Sequence, residues 1–175
     1  LSVMDRDAAL VDFDAARKEW EDAFQRVPDR ALTYLKPGDD YSLGGLQVHV
    51  NWVLAHYRRV LDGIVRARFQ QIGPQDPAGA EARALEGARR GLTPPERRRS
   101  LDEMAQLHAA VRAAGRQMPA ADFTRKAQVV YADGEDPYPT CAEDIVGWLR
   151  EHYREHVEQS GDLIEEWRSS AKAAD

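Results

Sequence analysis

Residues 143–160 read EDIVGWLREHYREHVEQS, a run of good helix formers that sets His152 and His156 four residues apart. Four residues is about one helical turn, so both imidazoles leave the same face. Ile145, Leu149, His152, His156, Ser160, Leu163 and Trp167 continue that face at spacings of three or four, which predicts that the rings lie on an apolar stripe turned toward a core. A buried imidazole must place two ring nitrogens, because an unpaired polar group away from water costs about 1–3 kcal/mol. Two such rings side by side call for a shared partner. A metal ion would serve both at once, and it predicts a third ligand on a facing helix.

Outward from this segment the composition is that of an all-α protein. Of 175 residues, 43% are hydrophobic and 31% charged, with few β-branched residues and abundant Ala, Leu, Glu and Arg. The length predicts a single domain over residues 1–175 with a full core. A net charge of -6 argues against nucleic acid as the main partner. With one cysteine, Cys141, no internal disulfide can form, which points to a reducing compartment. No run reaches the roughly 18–20 apolar residues that span a bilayer, and no signal-peptide pattern precedes the first helix. The expectation is a cytoplasmic protein without membrane contact. Leu1, Ser2 and Val3 stand ahead of Met4, as a remnant or a numbering choice would leave them.

A first helix is predicted from Asp5 to about Val27, with Leu10, Phe13, Trp20, Phe24 and Val27 on one face and Pro28 as its stop. Residues 29–41 hold Pro37, Gly38, Asp39 and Asp40 and read as a loop. Ser42 caps a second helix running to about Gln71 on Leu46, His49, Val53, His56 or Tyr57, Val60 and Ile64. Gly44 and Gly45 in its first turn cost about 1 kcal/mol each relative to Ala and would let a neighbouring backbone or ligand come close. Residues 73–91 read as a long linker with a short helix over 80–88. Thr93-Pro-Pro-Glu96 is a capping box for a third helix to about Gln117 on Leu101, Met104, Leu107, His108 and Val111. Residues 126–131 and the turn-rich stretch to Pro139 look like an extended crossover rather than a sheet. Thr140-Cys-Ala-Glu143 is a second capping box, and the fourth helix is expected to end near Ser169 before a fraying tail. The fold class is therefore an all-α four-helix bundle with long second and third connections.

Three histidines compete for the third ligand position. His49 and His56 share the inner face of the second helix but stand about 10 Å apart along its axis, so one ion takes only one of them. His108 reads as a partly exposed residue of the third helix. The segment 41–50, YSLGGLQVHV, resembles the aromatic-Ser…His signature that opens the second helix of the DinB/YfiT-like superfamily of metal-binding four-helix bundles. Thr140…His152-x-x-x-His156 is similar to that family's last-helix motif, in the family's order and roughly a hundred residues on. The resemblance covers nearly the whole chain. It implies up-down-down-up wiring and His49, His152 and His156 as ligands of one divalent ion, zinc by default, with nickel, iron or copper as alternatives. Tyr41 replaces the family's usual Trp, and Gly44-Gly45 a more common helix-forming acidic residue, so the pocket mouth differs.

Family members with known activity act on low-molecular-weight thiols such as bacillithiol or mycothiol. The resemblance thus implies a metal-dependent thiol S-transferase or hydrolase whose partners are a small thiol and an electrophile, with a homodimer as the candidate assembly. Three imidazoles leave at least one position open on the ion for water or thiolate. The alternative is a stress-related bundle that binds a metal or small ligand without catalysis, and a third is a purely structural bundle with satisfied histidines. Glu151 and Glu155 turn off the stripe and read as solvated or as supporting the ligands, not as direct general bases. Cys141, about three turns from the ligands, reads as an inert small residue even though a helix dipole there would lower its pKa. Arg89, Arg90, Arg97, Arg98 and Arg99 read as a solvated, Glu-paired surface, and Trp20, Trp52, Trp148 and Trp167 as core or a dimer seam.

Overall fold

Asp5 opens the first helix by accepting a hydrogen bond from the Ala8 amide at 2.8 Å. The structure, a computed structural model, describes residues 5–174; Leu1–Val3 lie outside them. Helix α1 spans Arg6–Gln25, α2 Leu43–Arg66, α3 Ala80–Arg90, α4 Pro94–Gln117, the short α5 Ala120–Phe123 and α6 Ala142–Ala174, with strands β1 (Ala127–Val129) and β2 (Tyr138–Thr140) ahead of α6. Helices α1, α2, α4 and α6 enclose one core in which Phe13, Trp20, Leu46, Met104, Ile145 and Tyr153 are almost fully buried. The described residues are all-α apart from the short hairpin of three residue pairs formed by β1 and β2.

Neighbouring helices meet in fixed registers. Along α1 and α6 the numbers rise together, from Asp12 on Arg150 (3.3 Å) to Trp20 beside His156 (ring centres 6.1 Å apart). Along α1 and α4 they run oppositely: Asp14 meets His108 and Arg112, whereas Arg97 reaches the Val27 carbonyl. Along α2 and α6 they also run oppositely, with His49 on His152 and Tyr57 on Trp148.

The start of α2 shows why glycines are tolerated there. A helix leaves its first four amides unpaired. Here Leu43 donates to the Tyr34 carbonyl, Gly44 to Leu32, Gly45 to the Ser42 hydroxyl and Leu46 to the Ser42 carbonyl. Ser42 in turn donates through both its amide and its hydroxyl to the Ala88 carbonyl at the end of α3. The expectation of a close backbone neighbour holds: a Cβ on Gly45 would fall on the Ala88 carbonyl, and one on Gly44 on the Leu32 carbonyl.

Several expectations are corrected. Helix α2 stops at Arg66 rather than Gln71, because Arg68 and Phe69 take positive φ (52° and 64°) that no helix continues through. Its buried face carries Leu43, Leu46, Gln47, Val50, Asn51 and Leu54, so His49 and Val53 sit at its edge. The rotation is possible because the two amides are satisfied inside: Trp20 donates to Gln47 (2.8 Å), Gln47 to Asn51 (2.9 Å), and Asn51 to the Ser100 carbonyl (2.9 Å). Residues 127–129 are not a lone crossover; they pair antiparallel with 138–140, and Ile72 bridges Val129. The turn that folds them back contains Gly134 at φ +83°. The Thr140 hydroxyl donates to the Tyr138 carbonyl and meets the Tyr131 hydroxyl, so the cap of α6 forms one residue later, where Asp144 accepts from the Cys141 amide at 3.0 Å. Helix α6 continues past Ser169 to Ala174. Trp20 is core as expected, while Trp148 and Trp167 are half-buried against it.

The glycine contacts predict opposite outcomes for one substitution at two sites. Gly45→Ala should destabilise the protein by about 2–3 kcal/mol, the overpacking strain outweighing the roughly 1 kcal/mol helix-propensity gain. Gly161→Ala, exposed on α6 with nothing within 4 Å of its Cβ position, should stabilise by about 0.5–1 kcal/mol. Urea unfolding of both variants checks the pair.

Candidate metal centre

Helix α6 supplies two rings from consecutive turns and α2 supplies one from its second turn. His152 Nε2 lies 3.0 Å from His49 Nε2 and 3.0 Å from His156 Nε2. One ligating atom from each of the three lies within 4.8 Å of the other two, the one group of this kind among the described residues. The rings stand edge to face, at 65° between His49 and His152 and 89° between His152 and His156. At such tilts the rings do not stack, and their Nε2 edges meet one another instead.

The nitrogens cannot satisfy one another. An N–H shared between two imidazoles leaves the third lone pair facing a lone pair or another N–H. Two nitrogens each about 2.0–2.1 Å from one divalent ion, at angles between octahedral and tetrahedral, stand about 2.9–3.4 Å apart. Two of the three spacings, His152 to His49 and His152 to His156 at 3.0 Å, fall in that range, and the third pair lies within 4.8 Å. Burial pushes His49 down to about 4 and His152 to about 3, and it lowers His156 as well, so all three rings are neutral at physiological pH. Neutral imidazole is the form that ligates. His156 Nδ1 sits 2.7 Å from Gln159 Oε1, an acceptor, which places the proton on Nδ1 and leaves the Nε2 lone pair directed at the cluster. The donor set therefore fits a divalent transition metal.

The site is not sealed. A cavity of about 180 Å³ is lined by His49, Tyr41, Trp52 and Asp40 together with Glu81, Ala84, Leu85 and Ala88 of α3. Tyr41 stacks on His49 at 4.3 Å and 18°, fixing the plane of the ring from the pocket side. Burial, with Asp40 and Glu81 adding to it, raises the Tyr41 phenol, which keeps its proton at neutral pH.

The remaining histidines have other partners. His56 bonds Asp76 through Nδ1 at 2.6 Å, and Arg59 grips the other oxygen of Asp76, so His56 pins the connection after α2. His108 is a correction to the expectation of partial exposure: it is buried, stacked on Phe13 at 3.9 Å, and bonded to the Tyr153 hydroxyl (3.0 Å) and Asp14 (2.8 Å). Cys141 is buried and its thiol pushed up by desolvation, opposite to what the helix dipole alone would do. Arg89 and Arg90 form exposed ion pairs with Asp40 and Glu96, while Arg97 turns inward over Phe24. Sequence reasoning missed Gln159 as the partner of His156. It also missed α3 as a wall of the pocket, although residues 81, 84, 85 and 88 recur at helical spacing within the expected short helix.

The sequence model of the DinB superfamily matches residues 5–160, from the N-cap of α1 to the end of the segment bearing both α6 histidines. A comparison with curated proteins finds no match.

His108 gives the metal-free protein a defined pH dependence. Burial lowers its pKa to about 4 from an ordinary 6.5, so between these values the unfolded chain holds a proton that the folded chain does not. Its stabilising contribution is full above about 6.5 and is lost as pH falls toward 4; His49 and His152 act in the same sense. Melting of metal-free protein should occur at a lower temperature at pH 5 than at pH 7. Equal midpoints would mean that the rings carry protons in the native state.

Proposed function

The chain belongs to the DinB superfamily, and from that premise we propose that it is a metal-dependent enzyme in which His49, His152 and His156 hold one divalent ion, zinc by default. The reaction it supports best is transfer of a low-molecular-weight thiol to an electrophile, or hydrolysis of such an adduct. The observation that carries this is the convergence of the three Nε2 atoms, with 3.0 Å between His152 and each neighbour, beside a cavity that reaches His49. When bound, a divalent ion supplies Lewis acidity that brings a coordinated thiol or water to its anionic form near neutral pH.

The chain's own residues do the positioning. Gln159 holds the proton of His156 on Nδ1, and Tyr41 holds the His49 ring by stacking. The protonated Tyr41 hydroxyl offers a hydrogen bond at the cavity wall, and Trp52 limits water there. The partners are a small thiol and an electrophilic carbon compound. The same reading takes the bundle as one domain wired up-down-down-up, supported by the parallel register of α1 with α6 and the opposed register of α2 with α6.

Elemental analysis of purified protein should find about one equivalent of transition metal per chain, reduced at least tenfold in His152→Ala and unchanged in His56→Ala. Absence of metal from the parent, with no rise in melting temperature on adding zinc or nickel, would remove the metal-dependent reading.

A further inference from the structure

The charge of the cavity beside His49 points to the kind of molecule that enters it. Its lining contains two carboxylates, Asp40 and Glu81, and no Lys or Arg. Asp40 is matched by Arg89 at 2.8 Å, on the outside, where both side chains are more than half exposed. Glu81, in the first turn of α3, has no ion-pair partner among the described residues, and its charge together with that of Asp40 reaches the Tyr41 phenol. The walls between them are the rings of Tyr41 and Trp52 and the small apolar face of α3. Arg59 lies over Trp52 at 5.3 Å, with its charge met by Asp76 at 2.7 Å. The adjoining cavity of about 460 Å³ shares Trp52 and Ala84 and adds Glu96, which Arg90 pairs at 3.1 Å, together with Glu103 and Arg99. In the cavity beside His49, Glu81 is therefore the lining carboxylate left without a matched cation.

We propose that this cavity binds the protonated amine of a small, amine-bearing substrate, so that the compound presented to the three histidines is cationic or neutral rather than carboxylate-bearing. This rests on the reading of the histidine cluster as a metal site that takes a thiol, and it narrows the thiol. An anionic group entering here faces two carboxylates and aromatic faces whose quadrupoles repel it, whereas an ammonium is attracted by both. At about 180 Å³ the cavity is smaller than the ~300–1,000 Å³ that drug-sized ligands occupy, which suits a molecule of a few heavy atoms beyond the thiol.

The test compares cysteamine with 3-mercaptopropionate on zinc-loaded protein by titration calorimetry at low ionic strength and pH 7. Because the two thiols differ in their own acidity, the readout is the affinity ratio and its change on substitution. The parent should favour cysteamine by about tenfold, and Glu81→Gln should cut the ratio about threefold to fivefold. Glu165→Gln, exposed and remote on α6, should leave it unchanged. A ratio that does not move in Glu81→Gln, or a preference for mercaptopropionate, overturns the proposal while leaving the metal site intact. If the protein takes up no metal, the reading of the histidines fails by itself. The cavity is then tested on the metal-free protein with butylamine against butyrate, read by Trp fluorescence and by chemical-shift changes at Glu81 and Tyr41. Saturable binding of the amine alone supports the proposal, and binding of neither, or of butyrate, overturns it.

Discussion

Three imidazoles gathered around the Nε2 of His152 form the constraint on which the rest of the arrangement depends. Helix α6 has to serve two neighbours at once. Its Arg150, Tyr153 and Arg154 side meets α1, where Asp12 and Glu19 receive the guanidinium of Arg154. Its Trp148 and His152 side meets Tyr57 and His49 on α2. His156 lies between these sides, buried, edge to face with Trp20 at 6.1 Å between ring centres. A shift of one residue in the α2–α6 register would move His49 by about 1.5 Å along the axis and turn it by about 100°, and the cluster would be lost. The hydrogen bonds of Trp20 with Gln47, and of Gln47 with Asn51, tie the interior of α2 to α1 at the level of the site. They act as a polar pin in a place where apolar packing alone would tolerate sliding.

The His152–His156 pair was legible because a helix converts a spacing of four into a shared face, and the four long helices were legible from their caps and stripes. What the sequence could not show was set by partners distant in the chain. The face of α2 was misplaced by a fraction of a turn because Gln47 and Asn51 look polar, and their burial depends on Trp20 and Ser100, 27 and 49 residues away. His108 looked exposed for the same reason; Asp14, its partner, lies 94 residues earlier. The hairpin was read as a crossover because Tyr138-Pro139-Thr140 hides in a turn-rich stretch, and only pairing with 127–129 makes it a strand. His49 could be singled out from His56 by resemblance alone, since both sit on α2 and the separating fact, the bond of His56 to Asp76, belongs to the following connection.

Gly44 and Gly45 link these levels. Their missing side chains let the Leu32 and Ala88 carbonyls close on the first turn of α2, where unpaired amides would otherwise face apolar packing. Ala88 belongs to α3, so the same contact that caps α2 anchors the end of α3 and lays its 81–88 face across the cavity. A helix-forming residue with a side chain at position 45 would raise local helix propensity and push α3 outward. That would open the wall carrying Glu81 and Ala84 and expose His49 to water. The weak helix formers in that first turn thus have a structural reason, and it is one that shapes the site: the propensity they give up is exchanged for a backbone contact that encloses the approach to the histidines. The character of the pocket, acidic and aromatic, follows from which short helix the glycines admit, while the chemistry at its floor follows from the register of α2 on α6.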